Sequence, residues 1–217
     1  MKLRIKEIFY SIQGETTYNG FTSLFIRTTG CNLNCAYCDT AYAREGGEYH
    51  SIPHLVKIVT GYEYIHHITI TGGEPLLQSA TIPMITALLE KKYTVQLETN
   101  GSLSIYEVPP PVRKILDVKT PSSGEEGSFL IKNLDYLGPD DEIKFVIADD
   151  TDYEFACNFI KKYIANSSAI VNFSPERSTM QPEQLAGKIL EDRLPVRLNL
   201  QLHRCIWGDH EPGTNTC

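Results

Sequence analysis

Apolar residues recur along the chain in alternating or continuous runs bounded by turn residues, a pattern typical of β-strands. These runs predict strands at residues 3–9, 23–28, 66–71, 93–98, 114–119, 142–147, 169–173 and 196–202. Apolar residues spaced three and four apart predict helices at residues 51–60, 80–92, 151–164 and 181–192. Ser51 and Thr151 stand where N-terminal helix caps are expected, and a proline lies near the start of three helices.

The alternation of strands and helices predicts an α/β fold with a mainly parallel sheet. Two links break the alternation. Residues 109–111 are three consecutive prolines, and residues 121–141 are rich in glycine, serine and acidic residues without helical periodicity. The pattern therefore predicts a partial, trimmed βα barrel. A chain of 217 residues with no internal linker is expected to form a single domain over residues 1–217.

Composition and charge narrow the range of functions. The chain has 41% apolar and 22% charged residues and no apolar run of membrane-spanning length. Its first fifteen residues are charged and lack the apolar core of a signal peptide, so a cytoplasmic location is expected. The formal net charge is −7 and no basic stripe stands out, which argues against a nucleic acid as the direct substrate.

Three of the six cysteines lie within eight residues, at Cys31, Cys35 and Cys38. Thiolates are the soft ligands that iron–sulfur clusters and zinc prefer, and cysteines in a reducing compartment more often bind metals than form disulfides. A 4Fe–4S cluster normally takes four thiolates, so three would leave one iron free for chemistry. The same spacing also suits a zinc site completed by His50 or His54. The spacing alone leaves both alternatives open.

Polar motifs follow several of the predicted strands. The cysteine loop follows the second strand, and four further motifs, at residues 72–75 (GGEP), 98–101 (ETNG), 119–121 (KTP) and 173–175 (FSP), close later strands. In parallel βα folds ligands bind at the carboxyl ends of the strands. These five motifs are therefore expected on one face of the sheet.

The motifs CxxxCxxC, GGEP and ETNG, at the ends of successive strands, closely resemble the radical S-adenosylmethionine (SAM) superfamily over about residues 20–200. The resemblance implies a trimmed (βα)6 radical SAM barrel and a 4Fe–4S cluster held by Cys31, Cys35 and Cys38, with SAM on the fourth iron. It implies that Tyr37 lies along the adenine and Gly73 meets the SAM amino group. The other implied cofactor contacts are Cys38, Asp39, Asn100, Lys119, Thr120, Pro121, Phe173, Ser174 and Pro175.

Within that superfamily, residues 11–15 (SIQGE), Arg27, residues 38–40 (CDT) and residues 201–204 (QLHR) resemble the 7-carboxy-7-deazaguanine synthases. The resemblance implies a lyase that converts 6-carboxy-5,6,7,8-tetrahydropterin to 7-carboxy-7-deazaguanine with loss of ammonia, in the biosynthesis of queuosine, a modified tRNA nucleoside. It also implies Mg²⁺, a flavodoxin-like electron donor and a homodimer. The cluster and SAM would carry the chemistry, so no catalytic side chain is assigned.

The resemblance also implies a set of contacts to a small carboxylated heterocycle. The Arg27 guanidinium is a planar fork that matches a carboxylate, and Glu98 suits the amino-pyrimidine edge of a pterin. The hydroxyl of Thr40 suits Mg²⁺, which accepts oxygen ligands. The implied substrate contacts are Ile12, Gln13, Gly14, Glu15, Arg27, Thr71, Glu98 and His203.

Two departures from the family pattern concern the ends of the chain. Thr16 stands where the family usually has glycine, which questions the shape of that loop, and the tail runs on past Trp207.

Two other functions compete with the synthase: a glycyl-radical activating enzyme on the same scaffold, which would need a groove for a protein backbone, and a non-catalytic zinc-stabilised domain. The residues suited to a small carboxylated ring favour the synthase.

Overall fold

The protein is described by a computed structural model that covers residues 1–165 and 167–208. The strands are β1 (Lys2–Ile12), β2 (Thr22–Thr28), β3 (Glu48–Ser51), β4 (His67–Gly72), β5 (Thr94–Thr99), β6 (Arg113–Val118), β7 (Glu142–Ile147), β8 (Ile170–Pro175) and β9 (Arg197–Leu198). The helices are α1 (Ile52–Thr60), α2 (Thr81–Glu90), α3 (Asp150–Phe159), α4 (Pro182–Glu191) and α5 (Leu202–Trp207). A π-helical turn, Ile160–Ile164, continues α3.

The nine strands of the described residues form one sheet in the order β3-β1-β2-β4-β5-β6-β7-β8-β9. Strands β2 and β4 to β9 are parallel to one another, whereas β1 pairs antiparallel with both β2 and β3. The sheet does not close, because β3 and β9 are its two edges. Short 3-10 turns, with no α-helix, occupy the link between β6 and β7. The prediction of a trimmed α/β barrel with a mainly parallel sheet is confirmed.

The two faces of the sheet differ in chemistry. Alternate residues of the parallel strands, such as Ile70, Leu97 and Phe145, are buried and apolar, and they belong to a core that includes buried residues of α1 to α4. Their neighbours in the strands, such as Gln96 and Lys144, carry the opposite, polar face. This concave polar face forms the inside of the open barrel.

The structure corrects three details of the predicted elements. The strand predicted at 196–202 is wrong beyond Leu198, because β9 pairs with β8 at only two positions and the chain then forms α5. The cap of α3 is Asp149 rather than Thr151, since the Asp149 carboxylate accepts a 2.9 Å hydrogen bond from the Asp152 amide. The polar edge strand β3 was not predicted, because it lacks an apolar alternation. The predicted Ser51 cap of α1 is confirmed.

Within the described residues, no helix combines the length and the apolar character needed to cross a membrane.

Candidate active site

A cleft of about 850 Å³ opens at the carboxyl ends of the parallel strands. It gathers most of the residues that the sequence singled out. The predicted site residues that line it are Ile12, Gln13, Gly14, Glu15, Arg27, Cys35, Tyr37, Cys38, Asp39, Thr40, Thr71, Gly73, Glu98, Asn100, Lys119, Ser174, Pro175 and His203. Cys31, Thr120, Pro121 and Phe173 do not line it, and the Phe173 side chain is fully buried in the core against Phe145 and Tyr153.

The cysteine loop, residues 30–40, is held at one end of the cleft by backbone hydrogen bonds. The amide of Gly30 donates to the carbonyl of Ala43 at 2.9 Å, and the amide of Ala36 donates to the carbonyl of Ser123 at 2.9 Å. Its three cysteines are free thiols with partly exposed side chains. Burial raises the pKa of the Cys35 thiol, and the neighbouring Cys38 and Cys31 act in the same direction.

Gly73 lies directly against the start of this loop. A Cβ built on Gly73 would stand 2.1 Å from the carbonyl oxygen of Gly30 and 2.9 Å from the Cβ of Cys31. The next amide, of Glu74, donates to the same carbonyl at 2.7 Å. Only glycine permits this close backbone approach, so the GGEP motif fixes the position of the first cysteine.

The side chain of Glu74 ties the ends of neighbouring strands together. It is fully buried and accepts hydrogen bonds from the Asn100 amide at 2.7 Å and from the Thr99 hydroxyl at 2.8 Å. Burial raises its pKa, although these hydrogen bonds act in the opposite direction. The side-chain nitrogen of Asn100, Nδ2, in turn lies 3.9 Å from the Cys31 sulfur. Glu74 therefore links the GGEP and ETNG motifs to the cysteine loop.

The donor set fits a 4Fe–4S cluster better than a zinc ion. In the part of the chain that the structure describes, no three His, Cys, Asp or Glu side chains lie close enough to share one metal ion. A cluster does not need this, because each thiolate binds a different iron corner. His50 and His54 stack on each other, with ring centroids 5.3 Å apart. The zinc alternative therefore has no support in the arrangement of these side chains.

Tyr37 and Lys119 lie beside the cysteine loop. The Tyr37 hydroxyl lies 3.2 Å from the Thr120 hydroxyl, and burial raises its pKa to about 12. Lys119 donates to Asp117 at 2.9 Å. Burial alone would lower the pKa of Lys119, but the Asp117 carboxylate outweighs it and the pKa rises. Lys119 is therefore a permanent cation in the cleft wall.

Arg27 lies on β2 opposite Glu7 of β1. Its Nε donates to the Glu7 carboxylate at 2.6 Å, and the Tyr42 hydroxyl donates to the same oxygen at 2.6 Å. The guanidinium also lies 5.5 Å from the centroid of the Phe9 ring, which stacks on Phe25. The arginine is thus held by a carboxylate and an aromatic surface.

Gln13 and Glu98 meet at the floor of the cleft. Gln13 Nε2 donates to Thr69 at 3.2 Å and to Glu98 at 3.1 Å, and Gln96 Nε2 donates to the same Glu98 oxygen at 3.0 Å. Burial raises the pKa of Glu98, and the nearby charge of Glu15 raises it further. A ligand that donates hydrogen bonds to this carboxyl group would act in the opposite direction and lower its pKa.

Glu15 has the opposite character. It accepts from Lys144 Nζ at 2.6 Å and from Gln201 Nε2 at 2.7 Å. Burial would raise its pKa, but the Lys144 charge and these hydrogen bonds lower it from 4.5 to about 2. The same ion pair raises the pKa of Lys144 against the effect of burial. Glu15 is therefore a permanent anion that joins the loop after β1 to β7 and to the start of α5.

The loop after β1 also contacts the start of α5. The Leu202 amide donates to the Gly14 carbonyl at 2.8 Å, and a Cβ on Gly14 would stand 1.9 Å from His203 Nδ1. His203 therefore lies directly over Gly14, on a helix rather than at the strand end that the sequence indicated. Burial lowers the pKa of His203.

Thr16 adopts the left-handed backbone conformation that glycine prefers, with φ of 68°. For a β-branched residue this conformation costs free energy, about 1–2 kcal/mol. Two hydrogen bonds offset it: the Thr16 amide donates to Asn199 at 2.9 Å, and its hydroxyl donates to Gln96 at 3.1 Å. The departure from glycine therefore leaves the loop anchored to the inner face of the sheet.

Among the charged residues that sequence reasoning missed are Glu7, Asp117 and Lys144, which line the cleft, and Glu74, which is buried beside it. Three of them alternate with other residues that line the cleft, as Glu7 does with Phe9 on β1 and Lys144 with Val146 on β7. Charged residues at every second position of a predicted strand were the available signal. Which face of each strand lines the cleft is decided by the assembled sheet, so that signal could not be used alone.

Nearly the whole chain is similar to known proteins. The model of the Radical SAM superfamily matches residues 25–118. A protein named 7-carboxy-7-deazaguanine synthase from Koribacter versatilis (strain Ellin345) is 44% identical over 97% of this chain and 100% of its own length. A protein of the same name from Chlorobaculum tepidum is 40% identical over 97% of each chain. The crystal structure of QueE from Escherichia coli has a TM-score of 0.78 at 24% identity, over 94% of this chain and 95% of that chain, which shows a shared fold.

Proposed function

The chain belongs to the family of 7-carboxy-7-deazaguanine synthases and is a radical SAM enzyme, and on this premise we propose that it converts 6-carboxy-5,6,7,8-tetrahydropterin to 7-carboxy-7-deazaguanine with loss of ammonia. The proposal rests on one observation, the set of residues that line a single cleft. Cys35 and Cys38 of the cysteine loop, Arg27 and the Gln13–Glu98 pair all line it. These are a site for the cofactors, a cation for a carboxylate and a hydrogen-bonding edge for a pterin ring.

The family implies a 4Fe–4S cluster and SAM. In our proposal Cys31, Cys35 and Cys38 hold the cluster, and the backbone at Gly73 lies against the amino group of SAM. The other proposed SAM contacts are Tyr37, Asp39, Asn100, Lys119, Thr120, Pro121, Phe173, Ser174 and Pro175, with Phe173 contributing its backbone. When bound, the cluster and SAM supply the radical chemistry that begins at C6 of the pterin.

The chain's own residues orient the substrate and keep water from the cleft. In the proposed pose Arg27 binds the carboxylate in a charge-assisted pair, and Glu98 accepts from the amino-pyrimidine edge. Bonds from those donors stabilise the carboxylate of Glu98 against the burial that raises its pKa. Gln13 fixes Glu98, and His203 over Gly14 covers the ring. Ile12, Glu15 and Thr71 complete the proposed substrate contacts.

Magnesium at Thr40 is a further part of the proposal. Thr40 lines the cleft, two residues after Cys38, and its hydroxyl lies 3.8 Å from the Cys38 sulfur. A hydroxyl oxygen with a substrate carboxylate and waters suits Mg²⁺. Turnover of wild type should rise with Mg²⁺, and Thr40→Val should lose most of this response. Thr86→Val, on the exposed side of α2, should respond as wild type does.

Three features outside the cleft complete the proposal. We infer a flavodoxin-like electron donor and a homodimer from the family, and a cytoplasmic location from the cysteine usage of the chain. Sedimentation of the reconstituted protein would test the dimer. Electron transfer from a purified flavodoxin and its reductase, in place of a chemical reductant, would test the donor.

The decisive experiment is an anaerobic assay. The cluster is reconstituted, SAM, Mg²⁺, a low-potential reductant and 6-carboxytetrahydropterin are added, and products are analysed by mass spectrometry. We expect 7-carboxy-7-deazaguanine without a matching accumulation of 5′-deoxyadenosine, because SAM is used catalytically in the proposed reaction. Cys35→Ala should abolish turnover, while Cys157→Ala, outside the cleft, should retain it.

Two results would contradict the proposal. Slow formation of 5′-deoxyadenosine without deazaguanine would leave a radical SAM enzyme with another substrate, such as a protein backbone. Full turnover by Cys35→Ala would contradict the assignment of the cluster ligands.

A further inference from the structure

We propose that Glu7 is a positioning residue for substrate recognition, which turns the Arg27 guanidinium so that its two terminal amino groups receive the substrate carboxylate. The inference rests on the proposed function and deepens it. Glu7 lies on β1, outside every motif that pointed to the site, yet it lines the cleft. Its role follows from the contacts that it makes with Arg27 and Tyr42.

The register of the first two strands places Glu7 beside Arg27. The pairing of β1 with β2 shifts between Ile5 and Glu7, and from Glu7 to Ile12 it is regular, with Glu7 opposite Arg27 and Phe9 opposite Phe25. The bulge makes Lys6 the extra residue, so Glu7 lies on the cleft face with Arg27 and not on the core face that Ile5 occupies. Without that shift the carboxylate would point to the other face of the sheet.

The ion pair uses only part of the arginine. Glu7 Oε1 accepts from Arg27 Nε at 2.6 Å. Among the described residues neither terminal amino group of Arg27 has a hydrogen-bonding partner, and neither is buried without one. Arg27 lines the cleft, so these amino groups remain available to a ligand there. A carboxylate binds end-on to such a pair through two parallel hydrogen bonds.

The pair is also rigid. The side chains of Arg27 and Glu7 are 13% and 19% exposed, the Phe9 and Tyr42 rings flank the guanidinium at 5.5 and 5.8 Å, and the Tyr42 hydroxyl fixes the shared Glu7 oxygen. A guanidinium fixed in this way loses little rotamer entropy when it binds an anion. Glu7 adds a negative charge near the incoming carboxylate, so its benefit is orientation and not attraction.

The test compares two ligands on the reconstituted enzyme with SAM and Mg²⁺ bound. The first is 6-carboxytetrahydropterin, and the second is tetrahydropterin, which lacks the carboxylate. Calorimetry gives both dissociation constants. In Glu7→Ala we expect affinity for the carboxylated pterin to fall roughly tenfold, while affinity for tetrahydropterin stays within about twofold of wild type. A general structural defect would weaken both ligands alike.

Further variants show whether the loss of affinity comes from the missing Glu7 carboxylate or from a structural defect of Glu7→Ala. Glu7→Met fills the space and should reproduce the loss, whereas Glu7→Gln keeps an acceptor for Arg27 Nε and should recover most of the discrimination. Arg27→Ala should remove the preference for the carboxylated pterin, and adding Glu7→Ala to Arg27→Ala should lower the affinity no further. Asp140→Ala is the matched control, since it removes an exposed carboxylate from another arginine, Arg113, outside the cleft.

Kinetics give a second readout. Glu7→Ala should raise KM for the carboxylated pterin more than it lowers kcat. If Glu7→Met and Glu7→Ala keep the wild-type ratio of the two dissociation constants, Glu7 does not position Arg27 and the inference is wrong. If wild type itself neither prefers the carboxylated pterin nor converts it, the proposed function fails first and the role of Glu7 with it.

Discussion

The two ends of the cleft are built by different means. At the cysteine loop the decisive contacts are between backbones: the Glu74 amide donates to the Gly30 carbonyl, and Gly73 lies against the same carbonyl. At the other end, the loop of residues 13–17 is held by charged side chains. Lys144 binds Glu15 at 2.6 Å, and Glu142 accepts from the Thr17 amide at 2.8 Å.

We therefore expect substitutions at the two ends of the cleft to have different effects. Close backbone contact tolerates no added atom, so the cysteine loop is sensitive to a single methyl group. A buried ion pair tolerates a change of shape better than the loss of one partner, because the remaining charge is left without compensation. Substitutions at the two ends should therefore separate cluster binding from stability.

The largest expected effect is that of Gly73→Ala. The new Cβ would stand 2.1 Å from the Gly30 carbonyl oxygen, which is backbone and cannot rotate away. We expect the displaced cysteine loop to lose nearly all bound iron after anaerobic reconstitution, measured as iron per protein and by visible absorption. Gly187→Ala, on α4, meets no atom within 4 Å and is the control. A fully loaded Gly73→Ala protein would show that the backbone contact is not needed.

At the opposite end, Lys144→Met should lower the free energy of unfolding by about 3–5 kcal/mol, because it leaves Glu15 charged and largely buried without its partner. Urea unfolding under anaerobic conditions measures the loss. Adding Glu15→Gln to Lys144→Met should recover a part of it, since the uncompensated charge is then removed. A loss below about 1 kcal/mol would mean that water or a neighbour replaces Lys144.

Acid should affect the same end. The pKa of Glu15 is lowered from 4.5 to about 2, so its contribution to stability is complete above pH 4.5 and is lost as the pH falls towards 2. The shift corresponds to about 3 kcal/mol. Urea unfolding at several pH values should show this loss in wild type and not in Glu15→Gln. An equally steep loss in the variant would assign the acid sensitivity to other carboxyl groups.

The smallest effect is expected where the two ends meet. Arg204 of α5 lies 3.3 Å from Asp39 of the cysteine loop, and both side chains are partly exposed. Exposed pairs of this kind contribute little, so Arg204→Ala should change the free energy of unfolding by less than about 1 kcal/mol. The same urea measurement decides it. A larger loss would make α5 a structural bridge between the ends and weaken their separation.

The same contrast explains what the sequence could predict. The cysteine loop and GGEP are local patterns, and their positions at the ends of predicted strands are enough to place them in one cleft. Glu15 meets Lys144 and Gln201 across sequence separations of 129 and 186 residues. No local spacing indicates such partners, so Glu15 was predicted through its motif and Lys144 was missed.

The error at α5 has a related cause. Leu198, Leu200 and Leu202 alternate as they would in a strand, which is why residues 196–202 were predicted as one. An edge strand continues only while it stays paired with its neighbour, and the pairing with β8 covers only two residues, Arg197 and Leu198. The Gln201 side chain then bonds Glu15 and the Leu202 amide bonds Gly14. Tertiary contacts therefore outweigh the local alternation.

Because Glu15 contacts residues far along the chain, the two ends of the cleft can form only at different times during synthesis. During synthesis the N-terminal part of the chain emerges first. The contacts of the cysteine loop with Asn100, Ser123 and Glu125 are available once little more than half of the chain has emerged. The loop of residues 13–17 must wait for Gln201, near the end. We therefore expect a nascent chain to contain these partners of its cysteine loop well before it contains all partners of the loop of residues 13–17.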